Sequence, residues 1–361
     1  KWSWRSRIMS DLKVNNITSA SGSHGTVVAG VSTVSSNAFI IMPSSSVEVR
    51  GAGSGRAVFG GGYTAAPSGH NHTMDFVTIA STGNATDFGN LMEARYNISA
   101  CGSGTRGLFA GGQGSPGSLF NIIEFVTISS GGGANDFGDL STKGSTLGKV
   151  QSVAAASNDT RGLFMAGHSP DTHGSDNGRM NKIQFVNIAS TGNSEDFGET
   201  TVFAQSSQAC SSPVRAVRAG GQGNPTLHRV IDYVNIASTG NAIKFGETTA
   251  TFGYFPAAAS SGVRGLFAGG SNPSNVDTIE YITIASEGNG VDFGDLSSAR
   301  KGSAGASNKT RGLFAAGHAP ASISTIEYVT ITTTGNSQDF GDVTLARGYL
   351  GGCSDVHGGL G

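Results

Sequence analysis

Short apolar segments separated by small polar residues recur along the chain, and they have the character of β-strands. Residues 279–286, IEYITIAS, and 326–333, IEYVTITT, are typical, because β-branched and aromatic side chains dominate them. Gly, Asn, Ser and Thr bound each segment, as expected of turns. No stretch of about 12 residues has the 3.6-residue apolar period of a helix. The pattern therefore predicts many short strands and no helices.

These segments form a repeat with four elements. An Arg-led segment, such as RGLFAGG at 264–270, recurs every 47 to 55 residues. It is followed by a segment with a central aromatic residue, and then by one centred on a Phe that always lies 12 residues after that aromatic. A fourth, small-residue segment precedes each Arg. We name the strands A to D, with A the small-residue strand and B the Arg-led strand.

Four strands per repeat and about seven repeats predict a single seven-bladed β-propeller of four-stranded antiparallel blades. Six or eight blades are alternatives, because the first copy is degraded and both ends carry extra strand-like pieces. We predict an N-terminal segment at 1–16, with a candidate closing strand, and a propeller at 17–361. The repeats are anchored at Gly25, Arg56, Arg106, Arg161, Arg215, Arg264 and Arg311.

The two ends of the chain predict how the ring closes. Residues 9–14 resemble strand D, and residues 348–357 resemble strand A. Closure removes the free sheet edges that an open array would leave. We therefore expect the C-terminal strand to pair with a first-repeat strand near residues 26–31.

The repeat resembles the Kelch family, in which an inner strand is followed by a strand that ends in Gly-Gly and then by a strand with Tyr. Here these are Gly269-Gly270 and Tyr281, whereas Phe293 and its copies stand where Kelch repeats usually carry Trp. The resemblance implies a propeller fold, and a fold alone does not specify a function.

Inner strands crowd around the propeller axis and require small residues. Cys101, Cys210 and Cys353 lie in equivalent strand A slots where other repeats have Ala or Gly. We interpret them as small fillers, with a metal or redox trio as the alternative. Three cysteines cannot form a disulfide framework.

Charged residues recur at two places in the repeat. Strand C begins with an acid in most repeats, and strand D ends near a base, so pairs such as Asp75 with Arg95 are predicted to bridge the two strands of one blade. The Arg that opens strand B is predicted to contact a strand D acid such as Asp87. An anion-binding ring of arginines and a calcium loop are the alternatives. Arg218 replaces Phe and is either exposed or paired.

Composition narrows the functional classes. The chain has 361 residues, a net charge of −2 and only 13 % charged residues, which argues against nucleic-acid binding. No apolar run reaches the roughly 18 residues that span a bilayer, so no membrane insertion is expected. No nucleophile–base–acid set is apparent, so we expect no enzyme activity, no cofactor and no metal.

The B–C loops vary in length while the C–D spacing does not, and variable loops on a rigid scaffold concentrate binding residues. We therefore predict a ligand or partner site on these loops. A metal site made by His70, His72, His168 and His173 is an alternative, and so are simple solvated histidines. The candidate residues are Tyr63, His70, His72, His168, Asp171, His173, Asp176, Arg179, His228 and His318.

The amino-acid sequence of the repeat, RGLFAGG…IEYVTIASTGNATDFGDL, resembles that of virion structural proteins of tailed phages, notably cyanophages. That resemblance implies an extracellular or virion location and a non-enzymatic role in assembly or host attachment. Other virion or surface proteins, and glycans, would be the partners. A cell-surface or secreted glycan-binding lectin is the alternative function.

Overall fold

The computed structural model describes residues 55–64, 69–140, 149–170, 177–249 and 252–360. These residues form 24 strands in six four-stranded antiparallel sheets. Within them, no helix has the length and apolar character needed to cross a membrane. The predicted all-β propeller with four-stranded blades is confirmed, and it is consistent with a Kelch-like propeller.

Each blade has the predicted strand order A, B, C, D. The strands are, for blade 1, β24 (Gly351–Ser354), β1 (Arg56–Gly60), β2 (Thr73–Thr78) and β3 (Thr86–Asn90); for blade 2, β4 (Ser99–Gly102), β5 (Arg106–Ala110), β6 (Ile122–Thr127) and β7 (Asn135–Asp139); for blade 3, β8 (Ala154–Ser157), β9 (Arg161–Met165), β10 (Met180–Asn187) and β11 (Glu195–Ala204); for blade 4, β12 (Gln208–Ser211), β13 (Arg215–Ala219), β14 (Val230–Asn235) and β15 (Ile243–Glu247); for blade 5, β16 (Ala257–Ser260), β17 (Arg264–Ala268), β18 (Thr278–Thr283) and β19 (Val291–Asp295); and for blade 6, β20 (Ala304–Ser307), β21 (Arg311–His318), β22 (Ser322–Thr330) and β23 (Gln338–Asp342).

The predicted count of seven blades is wrong, because the described residues close into a ring of six. β24 pairs with β1, with Cys353 opposite Val58, and it also packs against the inner strands of blades 2 and 6. The C-terminal strand therefore completes the blade that begins at Arg56, not one near residues 26–31. The first repeat, the closing strand at 9–14 and the propeller start at residue 17 lie outside the described residues.

Small residues fill the inner strands, as predicted. Cys101, Cys210 and Cys353 are buried free thiols, and burial raises the pKa of the Cys101 and Cys210 thiols to about 12. Each sulfur faces a strand B glycine of the next blade. A Cβ on Gly162 would lie 3.0 Å from the Cys101 Sγ, and one on Gly265 only 2.4 Å from the Cys210 Sγ.

Strand B and the aromatic residues of strands C and D fill the space between blades. Phe109 of strand B is fully buried, and Phe125 of strand C meets Phe137 of strand D edge-on, with ring centroids 6.1 Å apart. Every described blade repeats that aromatic pair. In blade 2, Ile123 pairs with Gly138 and Glu124 with Asp136, so Phe137 of strand D is left unpaired in a β-bulge. This bulge accompanies the inward orientation of the Phe137 ring.

Each C–D turn docks onto the outer strand of the preceding blade. In blade 1 the amide of Gly83 donates to the Phe340 carbonyl of blade 6 at 2.7 Å, and the Asn84 Oδ1 accepts from the Asp342 amide at 3.1 Å. Gly341 is required there, since its Cβ would lie 2.4 Å from the Gly83 oxygen. The Gly83-Asn84 segment of the C–D turn therefore also covers an otherwise free strand edge.

The predicted ion pairs exist, but they join neighbouring blades, so the within-blade assignment is wrong. Arg95 does not reach Asp75 of its own blade. The connection from strand D carries the side chain onto the next blade. Among the described residues, three buried pairs join neighbouring blades in this way: Arg95 with Glu124 at 2.9 Å, Arg300 with Glu327 at 3.3 Å and Arg347 with Asp75 at 2.7 Å.

Arg218 substitutes for a missing base. Blade 3 has Ala204 where blades 1, 5 and 6 carry the pairing Arg, and Arg218 of blade 4 instead binds the blade 4 acid. Its Nε and Nη2 donate to the two oxygens of Asp232 at 2.9 and 2.6 Å, and it is fully buried. The side chain is therefore paired, and the charge of Asp232 is neutralised from within its own blade.

Candidate functional site

The propeller has two ends with different chemistry. We call the end with the A–B and C–D connections the arginine face, because each strand B begins there with Arg. The end with the B–C and D–A connections is the loop face. The predicted site residues that the structure describes belong to the B–C connections of the loop face.

The arginines that open strand B donate hydrogen bonds to the next blade and do not contact strand D acids. The predicted ring of Arg–Asp contacts is therefore wrong. Arg106 lies 4.7 Å from the Phe125 ring centroid, and its Nη1 donates to the carbonyls of Ile188 and Ala189 at 3.0 and 3.1 Å. Asp136, like the other strand D aspartates, is exposed. All six arginines stack on the strand C aromatic of their own blade.

On the loop face, an aromatic cluster forms that the sequence only half predicts. Tyr63 and His70 of one B–C loop lie 5.9 Å apart, and both contact Tyr96, at 5.4 and 5.2 Å between ring centroids. The rings of Tyr96 and Tyr349 are also in contact, with their centroids 6.2 Å apart. Tyr349 also contacts His318 at 6.3 Å and Phe255 at 5.0 Å. This aromatic cluster therefore spans blades that are distant in sequence.

The cluster combines exposed and anchored rings. Tyr63 is 36 % exposed, whereas Tyr96 and Tyr349 are half-buried. Burial raises the pKa of both half-buried phenols, so they stay neutral. Exposed Tyr offers an apolar ring with a polar tip, which suits recognition surfaces.

Amide side chains continue the loop face beside the aromatic cluster. The Tyr96 hydroxyl donates to the Gln113 Oε1 at 2.6 Å. The Asn97 Nδ2 donates to the Gln151 Oε1 at 3.0 Å, and Gln205 pairs with Gln222 in the same manner. These neutral groups donate and accept hydrogen bonds without adding charge.

A closed ring of backbone hydrogen bonds seals the centre of the loop face. Each D–A connection donates an amide to the preceding one, from Asn97 to the Tyr349 carbonyl at 2.9 Å and from Ser152 to the Asn97 carbonyl at 2.9 Å. The ring comprises Asn97, Ser152, Ser206, Phe255, Gly302 and Tyr349, all with positive φ. The cavity beneath it measures about 10 Å³, so a ligand on this face would rest on the surface.

The histidines do not assemble into a metal site in the part of the chain that the structure describes. The backbone of His168 bridges to Gln151 and Arg179, and burial, followed by the Arg179 charge, lowers the pKa of its imidazole. His228 lies 3.1 Å from the Phe203 carbonyl, and His72 is exposed. Asp171, His173 and Asp176 lie outside the described residues.

The axis ends differently on the arginine face, where residues 355–360 cover it. We call this segment the tail. The strand A serines form a ladder, in which the Ser211 hydroxyl donates to the Ser157 carbonyl at 2.7 Å and the Ser157 hydroxyl to the Gly102 carbonyl at 2.7 Å. Gly102 has no hydroxyl and interrupts this ladder, and the His357 ring lies beside it, with its Nε2 2.8 Å from the Gly102 carbonyl. The axial cavity enclosed there measures about 50 Å³.

The contacts of His357 define its protonation. Its Nδ1 accepts from the Gly359 amide at 3.0 Å, so its Nε2 carries the hydrogen and faces the Gly102 carbonyl at 2.8 Å. Ser157 Oγ lies 3.2 Å from that Nε2, but its hydroxyl donates to a carbonyl. The Ser–His geometry is therefore that of a structural plug, unlike a nucleophile and its base.

No family model matches the chain, and no curated protein matches it. The site is therefore defined by geometry alone. Sequence reasoning missed Tyr96, Phe255, Tyr349 and His357. The first three immediately precede strand A, a position that faces the same end as the B–C loops. That topological equivalence was the signal that could have found them.

Proposed function

We propose that this protein is a non-enzymatic structural and recognition module that contacts its partner through the loop face. The observation that carries the proposal is the aromatic cluster beside a row of neutral amides, on a scaffold whose other contacts repeat from blade to blade. Tyr with amide and hydroxyl groups gives large contact area and adaptable hydrogen bonding, as in binding loops of other recognition proteins.

The resemblance of the repeat to phage virion proteins supports a place on a tailed-phage particle, as an appendage, fibre or decorating protein outside the cell. The partners would be other virion proteins or a host surface. Weak contacts at one loop face would suffice, because many copies on one particle multiply the attachment.

Mass spectrometry of purified virions of a phage encoding this chain tests that placement. We expect peptides of the chain in the particle at a fixed ratio to the tail proteins. Their absence from washed particles would remove the virion proposal.

A glycan-binding lectin is the second candidate, and the aromatic cluster with its amides favours it specifically, because sugars offer C–H faces and hydroxyls. A glycan array with the wild-type chain and Tyr63→Ala separates the candidates. Binding that Tyr63→Ala abolishes supports the lectin, whereas no binding to any glycan leaves recognition of a protein.

A further inference from the structure

A cavity of about 530 Å³ lies on the arginine face, away from the loop face. The A–B connections of blades 4, 5 and 6 and the tail surround it, and we call it the tail pocket. Its size falls within the range of small-molecule sites, of about 300–1,000 Å³. Its main walls are Pro213, Val263, Arg264, Lys309, Gly358 and Leu360.

One wall of the tail pocket is the exposed apolar side chain of Val263. Val263 is 63 % exposed, like Val214 at the equivalent position of blade 4, whereas blades 2, 3 and 6 have Thr105, Thr160 and Thr310 there. The loop does not require Val, because the Val263 amide donates to the Ser261 Oγ just as the Thr310 amide donates to the Asn308 Oδ1. An exposed Val beside Pro213 and Leu360 is therefore available to a hydrocarbon ligand.

Two cations line the same cavity. Arg264 is held in place by Tyr281, 4.6 Å from its guanidinium carbon, and by hydrogen bonds from its Nη1 to the carbonyls of Ile331 and Thr332 at 3.1 and 3.0 Å. Its other guanidinium nitrogens make no hydrogen bond within the described chain. Lys309 is exposed on the neighbouring blade. A fixed Arg fork and a Lys favour an anionic head group such as a carboxylate.

The remaining wall is ordered. The Gly358 amide donates to the Ser260 carbonyl at 3.0 Å, and Leu360 is buried. The tail therefore forms a fixed side of the cavity, opposite the Arg and Lys of blades 5 and 6.

We propose that the tail pocket binds an amphipathic carboxylate of the fatty-acid type. The hydrocarbon would pack against Val263, Pro213 and Leu360, and the carboxylate would accept hydrogen bonds from Arg264 and Lys309. This site is independent of the loop face and of the partner that the loop face contacts.

Calorimetric titration of the whole chain with sodium octanoate tests the proposal. We expect octanoate to bind at least tenfold more tightly than acetate, which lacks the hydrocarbon, and than 1-octanol, which lacks the charge. Equal binding of either comparison compound would overturn the proposal. Octyl phosphate binding tenfold more tightly than octanoate would overturn the choice of a carboxylate.

Three exposed-site variants locate the binding. V263T should weaken octanoate binding about fourfold, the equivalent of about one buried methyl group, and K309Q up to about fivefold. V214T is the matched control, because Val214 is 62 % exposed at the equivalent position of blade 4 but does not line the cavity. Unchanged affinity in a V263T/K309Q double variant, or an equal loss in V214T, would overturn the assignment.

Discussion

The arginine face and the loop face are built on the same strands, yet they differ in what varies. On the arginine face, the six arginines from Arg56 to Arg311 make the same contacts. On the loop face, the first residue after the strand B glycines differs from blade to blade. These residues are Tyr63, Gln113, His168, Gln222, Ser271 and His318.

The difference shows where the blades constrain the sequence. Arg106 reaches carbonyls of the next blade, and Gly83 reaches a carbonyl of the preceding one, so a change on the arginine face alters two blades at once. Tyr63 bridges chain segments whose backbone pairing does not depend on its ring. The loop-face residues are therefore freer to vary than the six arginines and the C–D turns of the arginine face.

Deleting residues 348–360 should have the largest effect. It removes β24 and the tail, leaving blade 1 without its inner strand and the ring open. We expect the loss to exceed the roughly 5–15 kcal/mol that stabilises a typical domain. Near-UV circular dichroism and thermal melting should show no native transition. Deleting only 358–360 is the control and should leave a folded ring. A wild-type melting curve after the longer deletion would refute closure by β24.

Replacing Arg218 by Phe should have the next largest effect on stability. The change restores the usual strand B residue but leaves Asp232 buried without its partner, at a cost of about 3–5 kcal/mol. Adding Ala204→Arg recreates the arrangement of Arg95 with Glu124 and should recover part of that loss. Urea unfolding of the single and double variants measures both. A double variant no more stable than the single one would contradict the substitution of Arg218 for the missing base.

Arg106→Ala should be milder, since it removes one cation–π contact and two hydrogen bonds from a half-buried side chain. We expect a loss of about 1–3 kcal/mol. Arg106→Lys is the matched control and should keep only part of the stabilisation that Arg106 provides. Lys retains the positive charge, but it lacks the planar group that reaches both carbonyls. Equal stability of the wild type and the Ala variant would show that the contact is incidental.

The His357 plug predicts a pH dependence on the arginine face. Burial lowers the pKa of His357 in the folded protein, so the released tail takes up the proton first. The stabilisation of the docked tail by neutral His357 is complete at a pH above about 6.5, the ordinary pKa of a free histidine. It is lost as the pH falls towards the lower pKa of His357 in the docked tail. The hydrogen bond to the Gly102 carbonyl and, to a smaller extent, the charge of Asp159 oppose this lowering of the His357 pKa.

Amide hydrogen exchange at Gly358 and Gly359 between pH 8 and pH 5 measures the effect. Exchange corrected for its intrinsic pH dependence should accelerate in the wild type and stay level in His357→Gln. Parallel curves for the two proteins would assign the pH dependence to another group.

The smallest stability effect belongs to the loop face. Tyr63→Ala should change the free energy of unfolding by less than about 0.5 kcal/mol, because the ring is exposed and its neighbours are held by backbone bonds. The same variant should lose partner or glycan binding. A large loss of stability with unchanged binding would reverse the comparison of the two faces.

The sequence predicted the strands well because each repeat carries its own pattern, from the Arg of strand B to the Phe of strand D. It could not predict which blade the C-terminal strand completes, because residues 25–30 resemble strand B as Arg56–Gly60 do. The ion pairs were assigned to the wrong blade for a related reason. Arg95 and Asp75 are neighbours in a flat hairpin, but the D–A connection carries Arg95 onward to Glu124.

The candidate site was predicted in part. Length variation pointed to the B–C loop that carries Tyr63 and His70, and the rings of both residues belong to the aromatic cluster. Tyr96 and Tyr349 escaped notice because they occupy two adjacent positions of the D–A connection, which blade 2 fills with Gln151 and Ser152, and a change of one side chain does not alter the repeat pattern. The contacts among aromatic side chains from five connections depend on how the propeller closes, which no local sequence pattern contains.

Pairing of the last strand with the first described one has a consequence for synthesis on the ribosome. The Arg56 amide donates to the Asp355 carboxylate across 299 residues of chain. Blades 2 to 5 can form in turn as the chain emerges, while the inner edge of β1 stays open until residue 354 has left the exit tunnel. During that interval the nascent chain exposes a β1 edge that any passing strand, including β24 of another copy, can occupy. Crowding on polysomes should therefore favour strand-swapped dimers, and slower synthesis of the final segment should increase their yield.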